Sequence, residues 1–132
     1  MKILLDTHIL LWHLTDNPNL SQANSQLIED PQHQKFFSMA SLWEIAIKSS
    51  LGKLQIQQSI EMIVPQEVII LNIKLAHLKQ VQKLPFHHRD PFDRLLIAQA
   101  LSEQLTIITD DEWFGNYEKE RRDLWEQRRR VR

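Results

Sequence analysis

No cysteine occurs among the 132 residues, which excludes a disulfide framework, a zinc–thiolate site and a thiol nucleophile. Glycine and proline are scarce, at two and five residues, so connections are short and no linker divides the chain. No apolar run approaches the ~18 residues of a membrane helix; the longest are Ile9 to Trp12, Val68 to Leu71 and Leu95 to Ala98. Asp6 and His8 interrupt the apolar amino terminus, and no small-residue cleavage site follows it. The chain is therefore expected in the cytoplasm rather than behind a secretory leader. Strong net charge is also missing: the balance is −1, so no global basic field announces nucleic acid. The carboxyl end differs, because residues 118–132 carry Lys119 and six arginines against four acids. Such a charge run reads first as a solvated tail, and only secondarily as an attraction for RNA.

What remains is the balance of a globular domain, 42% hydrophobic and 25% charged. A chain this long is one domain and buries roughly 68% of its unfolded surface. Short continuous apolar segments alternate with helical patterns. Lys2 to Leu5, Lys35 to Ser38, Val68 to Leu71 and Leu105 to Thr109 read as strands. Ile9 to Leu14, Ser21 to Asp30, Ser41 to Ser50, Ser59 to Val64, Ile73 to Val81 and Pro91 to Gln104 read as helices. Lys83 to Pro91 reads as a polar loop. This alternation predicts an α/β fold whose parallel sheet is covered on both faces. Chemistry in such folds gathers at the carboxyl ends of the strands.

Four acids stand where that rule looks for them. Asp6 follows the first strand and Asp111 the last, while Glu44 lies in an apolar helix and Asp93 opens another. Each has an ordinary structural reading. Ser41-x-x-Glu44 fits a capping box, and Asp90-Pro91 fits an N-cap followed by proline, with Asp93 near the positive helix end. Asp6 or Thr7, and Asp110 or Asp111, fit caps as well. Glu44 and Lys48 form an i,i+4 pair. As a set the acids point further, since four carboxylates brought together repel unless cations neutralise them. An all-oxygen set suits Mg²⁺ or Mn²⁺. Such ions activate water and stabilise the leaving oxygen of a phosphodiester.

The stretches around these acids are distinctive: Leu4-Leu5-Asp6-Thr7-His8 with Leu11-Trp12, then Ser41-Leu42-Trp43-Glu44-Ile45-Ala46-Ile47-Lys48 with Gly52-Lys53-Leu54. Leu84-Pro85-Phe86-His87-His88-Arg89-Asp90-Pro91-Phe92-Asp93-Arg94 follows, running on to Ala100. Last comes Leu105-Thr106-Ile107-Ile108-Thr109-Asp110-Asp111 with Phe114 and Tyr117. In this order they resemble the PIN-domain family, and within it the VapC-type toxins of toxin–antitoxin pairs. The resemblance covers residues 4 to 117. It implies a three-layer α/β/α sandwich with a mainly parallel sheet and a Mg²⁺- or Mn²⁺-dependent endoribonuclease. The family's metal-site acids fall on Asp6, Glu44, Asp93 and Asp111, with Asp111 preferred to Asp110. Thr109, Asp90 and Thr7 fall on secondary positions that orient metal or water. A homodimer and a protein antitoxin are implied as partners beside the RNA. On this reading residues 1–117 form the PIN-like domain and 118–132 a charged extension of it. Only Leu124-Trp125 matches the apolar strand the family would place there.

Lys48, Arg89 and Arg94 are candidates for RNA phosphate contacts. His87-His88 reads better as a solvated pair than as ligands. Trp12 and Trp43 read better as core or interface than as base-stacking platforms. An aspartyl-phosphate enzyme is disfavoured, since Asp6 is followed by Thr7-His8 rather than a second acid at x+2. The remaining rival is a catalytically inactive PIN-like module that binds RNA or protein.

Overall fold

The computed structural model describes residues 1–86 and 90–110. Asp111, Arg89, the His87-His88 pair and the 118–132 extension lie outside the described residues. Four strands, β1 (Lys2–Leu5), β2 (Gln34–Ser38), β3 (Val68–Leu71) and β4 (Thr106–Ile108), form one sheet in the order β3-β2-β1-β4. Every pairing is parallel, with Leu5 opposite both Phe37 and Ile108. β1, β2 and β3 step outward in one direction, whereas β4 returns to the far side of β1. The sheet therefore has its topological switch between β1 and β4, where open α/β folds place their crevice.

The helices are α1 (Thr7–Leu14), α2 (Gln22–Glu29), α3 (Met39–Ser50), α4 (Ile60–Ile63), α5 (Leu75–Lys83) and α6 (Pro91–Glu103). Side chains alternate across each strand, and here they feed two separate cores. Ile3, Leu5, Phe37, Val68 and Ile108 pack with residues of α1 to α4, including Ile9, Leu10, Ile28 and Ile45. Leu4 and Leu71 face the opposite way, onto Leu96, Ile97, Ala98 and Ala100 of α6, with Phe36 and Ile107 alongside. Two cores on the two faces of one parallel sheet make the three-layer sandwich, and right-handed crossovers require the returning α5–α6 pair to lie opposite α1–α4. Each fully buried Leu or Ile contributes about 1.5–3 kcal/mol.

Helix boundaries follow local chemistry. Ser21 caps α2 through Asn24 N, and Asp90 caps α6 with Pro91 in its first turn. Gln104 ends α6 with φ 58, and Gly52 follows α3 with φ 74, a conformation that favours glycine. Several helix starts shift, and α1 begins at Thr7 rather than Ile9. α5 starts at Leu75 rather than Ile73. α3 starts at Met39 because Ser38, the last residue of β2, already caps it through Ala40 N. Ser41 is therefore inside the helix, and Ser41 and Glu44 do not form the expected capping box. No helix among the described residues is long and apolar enough to cross a membrane.

Candidate active site

Asp6 leaves β1 as the N-cap of α1, its Oδ1 accepting from Thr7 N at 2.7 Å. Its backbone N–H continues the sheet by donating to Ile108 O of β4. This register brings Thr109 alongside, and the Thr109 hydroxyl donates to Asp6 Oδ2 at 2.8 Å. Both carboxylate oxygens are thus held in fixed directions. Asp6 is buried, and its pKa is raised, chiefly by desolvation. The hydrogen bonds from Thr109 and Thr7 and the nearby His8 oppose that rise, while the charge of Glu44 adds to it.

Glu44 projects from α3 and is buried. Thr7 Oγ1 stands 2.8 Å from Glu44 Oε1 and 2.8 Å from Ser41 Oγ. A carboxylate only accepts, so the single threonine proton goes to Glu44, and Ser41 completes the contact from its own side. The other oxygen, Oε2, takes the Lys48 ammonium at 2.9 Å. Asp93 sits in the first turn of α6, where Asp90 Oδ1 accepts from both Phe92 N and Asp93 N. Trp43 and Phe92, each next to an acid in sequence, meet edge to face at 5.1 Å and join α3 to α6.

These parts line one polar cleft of about 310 Å³ formed by Asp6, His8, Glu44, Lys48, Asp90, Asp93 and Asp110. The structure thus brings together Asp6, Glu44 and Asp93 from three separate elements, with Asp90 and Lys48 beside them. Asp111 lies outside the described residues, and its neighbour Asp110 is the acid on the cleft wall. Thr7 and Thr109 stand beside the acids, their hydroxyls holding Glu44 and Asp6. Arg94 is placed elsewhere. It is buried in the fold, with its guanidinium donating to the carbonyls of Val81, Leu84 and Pro85 and lying 4.3 Å from the Phe86 ring centre. It ties α6 to the loop before it, and we assign it no phosphate contact. Trp43 is not core, being 57% exposed, whereas Trp12 packs against the larger core and stacks on His8.

Two residues at the site have no functional signal in the sequence: His8, which lines the cleft, and Ser41, buried behind it. His8 carried no signal beyond standing two residues after Asp6. Ser41 was legible only as a cap, because its partner Thr7 lies on another element.

Among the described residues, no three acids come close enough to hold one ion directly. The donor set nevertheless fits a hard cation. Five carboxylates face the ammonium of Lys48 and the imidazole of His8, and Asp6 is held out of water without full compensation. Such a set suits an ion that keeps much of its water and binds few carboxylates directly.

The PIN-domain family model matches residues 3–120. The chain belongs to the PIN-domain family. Among solved structures it is similar to a chain of VapBC2 from Rickettsia felis, determined bound to a DNA fragment from its promoter. That likeness has a TM-score of 0.67 at 16% identity and covers 89% of this chain and 93% of the other. No curated protein matches the sequence. PIN domains are generally nucleases.

Proposed function

We propose that this PIN domain is a VapC-type toxin, an endoribonuclease that cuts RNA phosphodiester bonds with Mg²⁺ or Mn²⁺. The observation that carries the reading is the convergence of Asp6, Glu44 and Asp93 on one cleft at the β1/β4 switch. Asp6, Glu44, Asp93 and the fourth acid, Asp111, would hold the ion. When bound, it supplies positive charge to the phosphate oxygens and lowers the pKa of attacking water. The chain's own residues do the rest. Thr109 and Thr7 N–H fix Asp6, Thr7 fixes Glu44, and Asp90 fixes the first turn that presents Asp93. Lys48, together with Arg89, supplies charge for substrate phosphates. The similarity to a VapBC2 chain supports a protein antitoxin as partner. We further propose a homodimer, which the family resemblance implies, in the cytoplasm, as the absence of a leader pattern leads one to expect.

Cleavage of a mixed structured RNA pool with Mg²⁺, with Mn²⁺ and with EDTA tests the reading. Wild type should cut only with metal, and folded Asp6→Asn and Asp93→Asn variants should fall to background. Variants that cut as well as wild type would remove the site assignment. Divalent-ion or RNA binding without cleavage of any RNA would leave the inactive PIN-like binding module as the better account.

A further inference from the structure

We infer that Lys48 is a tethered counter-cation, occupying at Glu44 the position a divalent ion would take and withdrawing when that ion arrives. The inference rests on the metal-site reading above. Glu44 is buried, its side chain only 8% exposed, and its two oxygens are occupied by Thr7 Oγ1 and Lys48 Nζ. A buried carboxylate without a cation is strongly unfavourable, so the metal-free protein needs a positive group there. Lys48 supplies it from one turn further along α3. Its own side chain is 41% exposed, so the ammonium can return to water by rotating its flexible stem. Asp90 and Asp93 also attract Lys48 electrostatically, which keeps it over the cleft rather than over the outer surface of the helix.

With Lys48 docked, Glu44 is committed to internal donors. A divalent ion binding Glu44 Oε2 meets the ammonium there and is repelled by it, so its apparent affinity is reduced by the fraction of molecules in which Lys48 is docked. The displaced ammonium remains within reach of the cleft, where it becomes a point charge for a substrate phosphate. Ion binding and phosphate binding are then coupled through one side chain.

The test is Mn²⁺ binding to the full chain by titration calorimetry without RNA, for wild type, Lys48→Met, Glu44→Gln and the double variant. Lys48→Met should bind Mn²⁺ about tenfold more tightly. That gain should vanish in the Glu44→Gln background, which separates competition at Glu44 from a general change in cleft charge. In thermal melts, Lys48→Met should lie below wild type without metal and rejoin it at saturating Mn²⁺. Lys48→Arg, which keeps the charge with a firmer carboxylate contact, should bind Mn²⁺ more weakly than wild type, and serves if the Met variant fails to fold. Unchanged or weaker binding by Lys48→Met, or an equal gain with and without Glu44, overturns the inference while leaving a metal site intact. No Mn²⁺ binding by any variant overturns both. The predicted cycle without RNA cleavage by wild type supports the counter-cation and removes the nuclease reading alone.

Discussion

Thr7 Oγ1 and Glu44 Oε1 lie 2.8 Å apart across 37 residues of sequence, joining the first turn of α1 to the middle of α3. The contact gives a buried carboxylate one of its donors and sets the direction of one of its oxygens. Thr7→Val keeps the shape of the side chain and removes the proton. The variant should lose roughly 1–3 kcal/mol, the cost of leaving a buried charged acceptor short of a partner. Thr7→Ser should recover most of it. Urea unfolding of the three proteins checks this, and a Val variant as stable as wild type would mean that Ser41 or water replaces the threonine.

The sequence made the strands and the acids at their ends legible for a simple reason. Lys2 to Leu5 and Val68 to Leu71 are short apolar runs ended by polar residues, and the acid or cap after a strand marks where a crossover begins. Helix starts were harder where two signals competed. Ser41-x-x-Glu44 has the residue types of a capping box, but Ser38 comes first, and β2 ends there because Ser38 still pairs with Leu71. Tertiary pairing thus overrode a local pattern. Contacts between distant elements, Thr7 with Glu44 and Arg94 with the carbonyls of residues 81–85, leave no periodic trace. Arg94 reads from sequence as a phosphate ligand because bonds to backbone carbonyls depend on no partner residue type.

Arg94 should behave as a structural residue. Its fork reaches Pro85 O at 3.0 Å and both Val81 O and Leu84 O at 3.3 Å, and a lysine ammonium cannot reproduce that planar spread. Arg94→Lys is expected to lose roughly 1.5–3 kcal/mol of stability, the range for hydrogen bonds involving a charged group. The measurement is again the urea midpoint, and a midpoint equal to wild type would show that the three carbonyls are satisfied without the fork.

A buried polar network on the other side of the sheet should respond to pH. His77 is fully buried; its Nδ1 accepts from Lys74 N and its Nε2 lies 2.8 Å from Glu103 Oε1, so the ring carries its proton on Nε2. Gln99 bridges from His77 Nδ1 to Ser38, the cap of α3. The hydrogen bond from His77, and then that from Lys74, hold the Glu103 carboxyl below its ordinary value of 4.5. A depressed carboxyl contributes stability that is complete above its unfolded value and is lost as pH falls through the folded one. Glu103→Gln should therefore be less stable than wild type at pH 7, and the two should converge below pH 4.5. Unfolding measured at pH 7, 5 and 3.5, with approximate spacing chosen to bracket that range, decides it; a gap that stays constant would remove ionised Glu103 as the cause.

Asp6 carries the opposite sign. Burial raises its pKa above the ordinary 3.8, so the folded protein holds that proton more tightly than the unfolded chain. Stability from this group is complete below the unfolded value and declines as pH rises through the folded one. Asparagine avoids the cost of the buried charge and keeps both contacts, with Oδ1 accepting from Thr7 N and Nδ2 donating to the Thr109 hydroxyl. In EDTA at pH 7, Asp6→Asn should therefore be at least as stable as wild type. Added Mn²⁺ should reverse the order, because an ion that binds only the native carboxylate stabilises only wild type. Thermal melts with and without Mn²⁺ measure both halves. A variant that is less stable in EDTA would show that the carboxylate is a structural cap, whereas a variant that gains as much from Mn²⁺ as wild type would place the ion away from Asp6.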